Sequence, residues 1–534
     1  MRPPFPDHGN GPYRVLRGFA RGAVEALHEG CDDPRMAQLK RLRAILDNAR
    51  GSRFARDHGL TGDEDFVAFR QRVPIRGYDQ LMPWLSRVHA GELDALTRSP
   101  AQSLLKTSGT TGASKLLPVT EPYARAVADG QALWRLALIR DHEAVTQGSA
   151  LTIVSPAVEG RLPSGLTYGS NTGRMHEAQP WIVRIRYPVP APIYRLHDAE
   201  QRLYGILRFA LQARLSTITT ANPSTLLLIA RRLEQWREDL SADLVDGTLR
   251  RGPAEALDPR LRRRLRWRLR KRRPPTDWRP ARIWDLATVN CWKGGPAAFF
   301  LRQLPEAMGG EVTVREVGVT ASEGYFAIPM SDDDEGGVAW LGGHVLEFID
   351  EAGAPRWAWE LEEGAAYRLV VTTSAGLYRY DLNDIVQVTG FTGRAPRLRF
   401  LRKGGNVLNV TGEKVTEDQV VAAMQHALEG APVRGFTVGY RLRDDEPVPA
   451  LTLAVEGEAP AGLAERFDAA LRQGNIEYDA KRDSDRLAPP VLLALPDGAY
   501  ERFRARRVAE GAPDGQVKDL VVALGAGHWE KLLG

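Results

Sequence analysis

Cysteine is scarce in this chain, and long apolar runs are missing. Only Cys31 and Cys291 are present among 534 residues, and two such distant cysteines provide neither a disulfide framework nor a metal-binding knuckle. The opening Met1–Tyr13 carries prolines and an aspartate where a secretory signal needs an apolar stretch, and no later run is long enough to cross a bilayer. These absences argue against a disulfide-rich secreted protein and predict a cytoplasmic protein without membrane insertion.

The composition is that of a globular protein with more than one domain. Hydrophobic residues make up 43% and charged residues 26% of the sequence, which excludes an intrinsically disordered chain. A length of 534 residues exceeds what one hydrophobic core usually supports, so we expect at least two domains. The net charge of +5 suits anionic small molecules and also nucleic acid.

Much of the positive charge is concentrated in one segment. Arg260–Arg273 reads RLRRRLRWRLRKRR, in which three leucines and Trp267 interrupt the cationic residues at spacings compatible with one apolar stripe of a helix. Such a segment could bind RNA or DNA. The interpretation that we favour is a surface helix whose long arginine side chains cover the fold while their charged ends stay hydrated.

The rest of the chain changes pattern along its length. The first hundred residues have helical periodicity, as at Leu39, Leu42 and Ile45, and are expected to form a helical cap. From Leu104, short apolar runs alternate with glycine- and proline-bearing turns and helical stretches, which is typical of an α/β domain. A strand-rich subdomain is predicted after Gly336, with strands at Val338–Leu341, Val345–Ile349, Tyr367–Thr373, Ile385–Thr389 and Leu398–Leu401.

A charged, glycine-containing stretch, Arg402–Asn406, indicates a domain boundary. Beyond it Glu417–Leu428 has a helical pattern and Ala450–Val455 has a strand pattern. We therefore predict a large domain over residues 1–401 and a small α/β domain over residues 402–534.

The strongest local signal is a loop rich in glycine and hydroxyl residues, Leu105–Val119, which reads LKTSGTTGASKLLPV. Glycines let backbone N–H groups approach phosphate oxygens, hydroxyl groups add donors, and a lysine supplies positive charge. The loop is not a Walker motif, because the Gly-Lys-Ser/Thr ending is missing. Read alone, it also fits an ordinary surface turn. The candidate phosphate-binding residues are Ser108, Gly109, Thr110, Thr111, Gly112 and Lys115.

Two later segments place carboxylates at strand ends. Val317–Ala327 carries Ser322 and Glu323 after a short apolar strand, where Glu323 could hold an Mg²⁺ ion that bridges nucleotide phosphates. In Gly376–Thr389, Asp384 directly precedes an apolar strand, and its two oxygens could accept hydrogen bonds from a ribose diol. Taken separately, each carboxylate also fits a turn or a solvent-facing position.

These three segments, followed by FLRKGGNVLNVTGEKVTEDQV, resemble the adenylate-forming enzymes, which include acyl-CoA synthetases, peptide-synthetase adenylation domains and luciferases. Within that group, Gly376–Val420 is more similar to the auxin-responsive Gretchen Hagen family of acyl-acid amido synthetases, through its YRY…D…VTGF…AP…F…R…NVL…EK…E run. The resemblance extends in order from Leu104 to Val522. It includes Asp239–Leu249 and Ile283–Gly295, which flank a helical insertion that holds the arginine-rich segment.

The resemblance implies a fold and an activity. The implied fold is α/β: a large N-terminal adenylate-forming domain with mixed β-sheets flanked by helices and a β-rich subdomain, plus a small C-terminal α/β domain joined by a hinge. The implied activity is that of an ATP-dependent ligase, which activates a carboxylic acid as an acyl-adenylate and transfers the acyl group to an amine, expected to be an amino acid. ATP and Mg²⁺ are the implied cofactors, and the implied partners are small-molecule substrates without nucleic acid.

The resemblance also implies roles for single residues. Lys518, in GQVKDL, matches the catalytic lysine that reaches into the site during adenylation. Arg402 matches an arginine near the hinge, and Glu323 is the implied metal ligand. Lys414 matches a lysine of the family motif ahead of the C-terminal helix, and we expect it to contact the nucleotide. The full set of expected ATP-binding residues is Ser108, Gly109, Thr110, Thr111, Gly112, Lys115, Ser322, Glu323, Tyr380, Asp384, Arg402 and Lys414.

Two positions depart from the family pattern. Asn383 stands where a glycine usually precedes the ribose-binding acid; asparagine can adopt left-handed backbone angles but places a side chain beside the nucleotide. Val319 stands where a tyrosine is common, so stacking on adenine would have to come from Tyr325, Tyr378 or Tyr380.

Two other functions stay open on the sequence. An acyl-adenylate former could use coenzyme A or a carrier thiol, because nothing in the phosphate loop discriminates between acceptors. A non-catalytic nucleotide- or nucleic-acid-binding protein would explain Arg260–Arg273 and the two departures. For an enzyme, we expect the acyl pocket to be walled by the helices near Tyr123–Ala137 and by Gly165–Thr172.

Overall fold

The computed structural model describes residues 5, 11–107, 115–411, 413–441, 448–483, 486–512 and 517–534. Six helices form the N-terminal layer, as the helical periodicity predicts. The longest of them begins with Pro34 in its first turn, and the Asp33 side chain accepts a hydrogen bond from the Met36 N–H. The helices are α1 (Gly11–Phe19), α2 (Arg21–Asp32), α3 (Pro34–Ala49), α4 (Arg53–Asp57), α5 (Phe66–Arg72) and α6 (Tyr78–His89).

The middle of the chain alternates strands and helices around two four-stranded sheets. One sheet has the order β2-β1-β5-β4, and the other is parallel with the order β3-β6-β7-β8. The elements are β1 (Ser103–Lys106), β2 (Leu116–Val119), α7 (Glu121–Asp141), β3 (Ser149–Thr152), β4 (Gly160–Arg161), β5 (Thr167–Gly169), α8 (Asn171–Glu177), α9 (Trp181–Arg184), α10 (Ala191–Tyr194), α11 (Ala199–Ala210), β6 (Leu215–Thr219), α12 (Pro223–Gln235), α13 (Arg237–Asp246), α14 (Pro259–Leu265), α15 (Pro280–Ile283), β7 (Thr288–Asn290), α16 (Ala298–Leu301), α17 (Leu304–Met308) and β8 (Val314–Arg315).

An eight-stranded antiparallel sheet follows, with the order β13-β12-β14-β15-β16-β11-β10-β9. Two of its strands, Val345–Ile349 and Ala366–Thr372, are largely buried, which explains the β-branched and aromatic runs that predicted strands here. The strands are β9 (Val319–Ala321), β10 (Gly324–Ile328), β11 (Gly336–Ala339), β12 (Val345–Ile349), β13 (Pro355–Trp357), β14 (Ala366–Thr372), β15 (Tyr380–Thr392) and β16 (Ala395–Lys403).

The C-terminal unit has its own mixed sheet, with the order β21-β20-β19-β22, and helices packed against it. The helix predicted at Glu417–Leu428 is present with those bounds. The elements are β17 (Val407–Leu408), β18 (Val415–Thr416), α18 (Glu417–Leu428), β19 (Gly435–Tyr440), β20 (Ala450–Glu456), α19 (Leu463–Gly474), α20 (Ile476–Asp483), β21 (Ala488–Leu495), α21 (Ala499–Ala509), β22 (Val522–Ala523) and α22 (Ala526–Leu533).

Two large cores hold these layers together. One joins the N-terminal helices to the eight-stranded sheet, and the other joins the parallel sheet and its helices to the C-terminal unit. Cys31 and Cys291 are buried and free, one in each core. None of the described helices combines the length and hydrophobicity that crossing a membrane requires.

The arginine-rich segment is less helical than its pattern predicts. Helix α14 ends at Leu265, a 3₁₀ turn continues to Arg268, and the chain then leaves the helix. Leu265 is buried, but Trp267 is 80% exposed, so the tryptophan does not belong to the predicted apolar stripe. Consecutive like charges and the prolines that follow Arg273 disfavour a longer helix.

Candidate functional site

A cavity of about 1310 Å³ opens where the parallel sheet, the eight-stranded sheet and the C-terminal unit meet. Its wall includes the ends of β3, β6 and β7, parts of β9, β15 and β16, and the segment 517–522. Residues from distant parts of the sequence therefore share one enclosure. The predicted site residues that line it are Lys115, Ser322, Glu323, Tyr380, Asp384 and Lys518.

Asp384 is buried in this wall and pairs with Lys403. Strands β15 and β16 place the two residues opposite each other, and Lys403 Nζ lies 2.5 Å from Asp384 Oδ1. The same Nζ donates a hydrogen bond to the Leu382 carbonyl at 3.1 Å. Burial alone would lower the Lys403 pKa, but Asp384 and Glu323 raise it above the ordinary lysine value. The lysine therefore stays charged and balances the carboxylate.

Glu323 occupies the tight turn between β9 and β10 and faces the same cavity. Burial raises its pKa, and the negative charge of Asp384 acts in the same direction, while Lys403 and Lys115 lower it. Two neighbouring carboxylates in a partly desolvated site favour the binding of a cation that enters together with a ligand.

The described residues contain no cluster of three histidine, cysteine, aspartate or glutamate side chains that could hold a metal ion by itself. Mg²⁺ is commonly bound by one or two carboxylates together with substrate phosphates and water. The Glu323 carboxylate fits that partial role, with Asp384 as its neighbour.

Lys518 extends from the C-terminal segment into the cavity. Its Nζ lies 5.7 Å from the ring centre of Trp292 and 5.7 Å from that of Phe400. The side chain keeps accessible surface although it is surrounded by protein, as expected for a lysine that projects into an open interior. Burial and the nearby charge of Lys403 lower its pKa, while Asp384 acts in the opposite direction. The ammonium group is thus well placed to gain from an anionic ligand.

Lys115 and Ser322 are held in place by aromatic neighbours. Lys115 Nζ donates to the Tyr380 hydroxyl at 3.4 Å and lies 5.3 Å from the ring centre of Tyr78. The Ser322 carbonyl accepts a hydrogen bond of 2.6 Å from the hydroxyl of Tyr123 in α7. These contacts join the strand ends that carry the site to the helix beside them.

Other predicted residues lie elsewhere. Arg402 Nε lies 2.8 Å from Asp418 Oδ1, so it ties the end of β16 to α18 and does not line the cavity. Lys414 is exposed, has a left-handed φ of 46° and is also absent from the cavity wall. Their nucleotide contacts stay predictions. The loop residues Ser108, Gly109, Thr110, Thr111 and Gly112 fall outside the described part of the chain.

The two departures from the family pattern have structural counterparts. Asn383 has a φ of 55°, the left-handed conformation that the sequence analysis anticipated, and its side-chain amide donates to the Gly404 carbonyl. Val319, Tyr325 and Tyr380 line the cavity. Tyr378 does not: it is buried in the core and donates its hydroxyl hydrogen to the Leu96 carbonyl at 2.7 Å.

Lys403 is the cavity residue that sequence reasoning missed. The residue spacing that could have identified Lys403 lies in the β15–β16 hairpin, in which Thr392 and Ala395 are paired beside the turn. Counting outwards from that turn pairs Asp384 with Lys403, because the two register shifts along the hairpin cancel. The count requires knowing that both segments form one hairpin, which short strand patterns did not establish.

Two solved enzymes superpose on this chain over most of their length. The GH3.15 acyl acid amido synthetase in complex with 2,4-DB superposes with a TM-score of 0.83 at 19% identity, covering 96% of this chain and 95% of that one. A 2-hydroxyisobutyryl-CoA ligase in the postadenylation state gives a TM-score of 0.54 at 16% identity, covering 93% of this chain and 91% of that one. These likenesses concern the fold.

Curated relatives extend over most of the chain. A probable indole-3-acetic acid-amido synthetase GH3.2 from Oryza sativa subsp. japonica is 27% identical, covering 93% of this chain and 89% of the relative. The indole-3-acetic acid-amido synthetase GH3.8 from Oryza sativa subsp. indica is 28% identical, covering 77% of this chain and 75% of the relative.

Sequence profiles of one family match three successive parts of the chain. The GH3 family N-terminal domain matches residues 23–313, the central domain residues 337–403 and the C-terminal domain residues 417–522. The matches include Lys115, Asp384, Lys403 and Lys518, whereas Ser322 and Glu323 lie between the first two matched segments. The chain belongs to the GH3 family.

Proposed function

We propose that this protein is an ATP-dependent ligase that adenylates a carboxylic acid and transfers the acyl group to an amine, expected to be an amino acid. The observation that carries the proposal is the gathering of Lys115, Glu323, Asp384, Lys403 and Lys518 around one cavity. Three lysines and two carboxylates suit a ligand that has both a polyphosphate and a diol. Membership of a family whose named relatives are amido synthetases supports the amine as acceptor.

In the first proposed step, a carboxylate oxygen of the substrate attacks the α-phosphorus of ATP. The bond from that phosphorus to the bridging oxygen breaks, and pyrophosphate leaves with the electron pair. Lys518 and Lys115 stabilise the negative charge that grows on the phosphoryl oxygens and the leaving group. Asp384, held by Lys403, accepts hydrogen bonds from the ribose diol and fixes the position of the nucleotide.

A magnesium ion fits this site through Glu323, and its contribution would be to neutralise phosphate charge. The protein's own part is to present a desolvated carboxylate. Burial raises the Glu323 pKa and so opposes ionisation of its carboxyl group. A cation that arrives with the phosphates would offset this cost and favour the carboxylate.

In the second proposed step, the amine nitrogen attacks the acyl carbon. The bond between that carbon and the AMP oxygen breaks, AMP leaves, and the nitrogen loses a proton. We further propose that residues 402–534 form a small domain that turns about the Arg402–Gly405 stretch and withdraws Lys518 before this step. The match of residues 417–522 to a separate C-terminal domain of the family supports this motion.

We also propose a cytoplasmic location. The two buried free cysteines fit a reducing compartment.

Replacing Lys518 with alanine tests the proposal. We expect pyrophosphate exchange to fall by about 10²- to 10³-fold, the usual cost of removing one donor that stabilises a transition state. ATP binding, measured by calorimetry, should change little because the other nucleotide contacts remain. Lys40→Ala is the matched control, since Lys40 is 74% exposed and pairs with Glu29 on the surface.

A product assay identifies the acceptor. Products formed from an active acid should be detected by mass spectrometry with an amino-acid mixture and with coenzyme A in parallel. Amides without thioesters support the proposal, whereas thioesters alone would make the protein a thiol-acylating enzyme. Exchange that survives intact in Lys518→Ala would remove the proposed role of that lysine.

A further inference from the structure

One face of the C-terminal half of α7 lines the cavity. Gln131, Trp134, Arg135 and Leu138 lie three or four positions apart, so they share this face, and all four contribute to the cavity wall. Tyr123 of the same helix contacts the Ser322 carbonyl and lies twelve residues before Arg135, about 18 Å along the helix axis. The cavity therefore has a nucleotide end and a separate end at α7, and the charges that act on Glu323 and on Arg135 come from different residues.

Arg135 is a cation without a carboxylate partner in the described part of the chain. One guanidinium nitrogen donates to Gln179 Oε1 at 2.6 Å. Gln179 is itself fixed, because its Nε2 donates to Gln131 Oε1 at 3.0 Å and to the Met175 carbonyl at 2.7 Å. Its amide oxygen must therefore face Arg135. The other guanidinium N–H donors are not sealed among protein atoms, since none of them is a buried orphan, and the side chain borders the cavity.

A second arginine adds to the positive charge at this end. The Arg186 guanidinium donates to the carbonyls of Val145 and Gly148, so neutral acceptors satisfy its hydrogen bonds and its charge is not cancelled. Tyr187 lies close enough to both Arg135 and Arg186 for their charges to lower its pKa against the rise that burial causes. Burial lowers the pKa of both arginines, which shows that their charges are costly where they stand.

Among the described residues, no acidic side chain forms an ion pair with Arg135 or Arg186. Burial and Arg184 lower the His176 pKa to about 4, so His176 is neutral at physiological pH. Glu316, the acid of the cavity that also influences Tyr325, is held by the backbone N–H groups of Lys293 and Gly318 at 2.6 and 2.9 Å. These neutral donors leave any charge on Glu316 in place, but two arginines outnumber this acid, so the α7 end of the cavity carries net positive charge. Its apolar wall is formed by Trp134, Leu138, Met175, Ile182 and Val183.

We propose that the acyl substrate is a dicarboxylic acid with an apolar body, whose second carboxylate binds Arg135 while the first is adenylated beside Lys518. This inference rests on the proposed ligase function and names its substrate class. A guanidinium with free N–H donors matches a carboxylate in geometry, and the apolar wall excludes water from the pair. A monocarboxylic acid of the same shape would leave Arg135 buried beside hydrocarbon, which is unfavourable.

Equilibrium binding without ATP tests the inference directly. Calorimetry would compare terephthalate with 4-methylbenzoate, and suberate and adipate with octanoate and hexanoate, because the length between the two ends is to be found by the series. We expect the best dicarboxylate to bind about 10- to 100-fold more tightly than its monocarboxylate match, the range for a charge-assisted contact. Equal binding within every pair would overturn the inference.

Variants then assign the preference to Arg135. Arg135→Met keeps much of the apolar volume, and Arg135→Gln keeps polarity without charge; both should abolish the preference for the dicarboxylate. Arg125→Met is the matched control, because Arg125 is an exposed arginine of the same helix that pairs with Glu121. A preference that persists in both Arg135 variants, at unchanged melting temperature, would overturn the inference; if either variant fails to fold, the wild-type comparison still decides.

Two further readouts separate this inference from the ligase proposal. Titration in the presence of saturating pyrophosphate should leave dicarboxylate binding intact, and competition would show that the arginines bind phosphate instead and would overturn the inference. Pyrophosphate exchange with the acids that bind tests the ligase. A dicarboxylate that binds through Arg135 without supporting exchange would refute the ligase proposal alone, whereas exchange with monocarboxylates only would refute the dicarboxylate inference alone.

Discussion

Glu316 is the residue at which the electrostatic cost of the cavity is clearest. Its side chain is 2% exposed, and burial raises its pKa from 4.5 to about 7 although the N–H groups of Lys293 and Gly318 act in the opposite direction. At a pH between these two pKa values, Glu316 binds more protons in the folded protein than in the unfolded chain. The free energy of unfolding should therefore lose nothing through Glu316 below pH 4.5 and should fall by about 3 kcal/mol through this group as the pH rises towards 7.

Glu316→Gln should flatten that part of the pH profile. Glutamine does not ionise, so the slope of the unfolding free energy between pH 4.5 and 7 should lose the share that Glu316 contributes. Urea unfolding followed by tryptophan fluorescence across this range would measure the slope. The exposed Glu363→Gln is the control and should leave it unchanged. Equal slopes for Glu316→Gln and wild type would contradict the assignment.

Helix α7 shows how a single element is fitted to its neighbours. It carries Gly130 in its interior, although glycine costs about 1 kcal/mol relative to alanine in a helix. The structure gives the reason: a Cβ at Gly130 would lie 2.7 Å from Tyr325 Cδ1 in β10. The glycine thus allows the strand that follows Glu323 to pack closely against the helix that carries Arg135.

Gly130→Ala should consequently destabilise the protein despite the better helix propensity of alanine. Overpacking against a buried ring costs about 1–3 kcal/mol, which exceeds the propensity gain. The melting temperature should fall. Gly18→Ala is the matched control, because Gly18 lies in α1 with nothing within 4 Å of its added Cβ and should be neutral or stabilising. A rise in melting temperature for Gly130→Ala would show that Tyr325 moves aside at little cost.

The β15–β16 hairpin is the second element that shapes the site. It continues through Arg402 to Lys403, and only then does the chain reach Gly404 and Gly405, the latter with a φ of 84°. If the small domain moves as we propose, the strand pairing of Asp384 with Lys403 would stay with the large domain. The bend would then fall on the two glycines.

At the scale of the whole molecule, a polar contact next to Lys518 adds to the hydrophobic core that docks the C-terminal unit. Asp519 Oδ2 accepts a hydrogen bond of 3.1 Å from Asn222 Nδ2, and Asn222 also caps α12 through the Ser224 N–H. Burial raises the Asp519 pKa, while Arg504 and the hydrogen bond from Asn222 lower it. The contact holds the lysine-bearing segment against the parallel sheet.

Asn222→Asp should weaken this docking while keeping the helix cap, because aspartate caps as well as asparagine. Two carboxylates would then face each other, so pyrophosphate exchange should fall by at least about 10-fold. Amide formation from a supplied acyl-adenylate should be retained, since Lys518 is not proposed to act there. The double variant Asn222→Asp with Asp519→Asn should recover exchange; loss of both reactions with no recovery would indicate a general folding defect.

Much of the organisation was predictable from local patterns. The helical N-terminal layer, the strand-rich middle and α18 are all present as predicted, because periodicity and capping act over a few residues. The helix predicted across Arg260–Arg273 was wrong beyond Leu265, since charge repulsion and following prolines outweigh the leucine spacing. The predicted division at residue 402 stays a prediction.

The sequence by itself determined the family, the order of the motifs and the residue types that face a nucleotide, because short motifs keep their chemistry wherever the chain places them. Only the tertiary structure decided which of those residues meet. It placed Lys518 and Asp384 in one cavity, left Lys414 on the surface and added Lys403 through strand pairing. It also left Arg135 without an acidic partner among the residues that the structure describes. Proximity and uncompensated charge depend on how distant segments pack, and no local pattern encodes that packing.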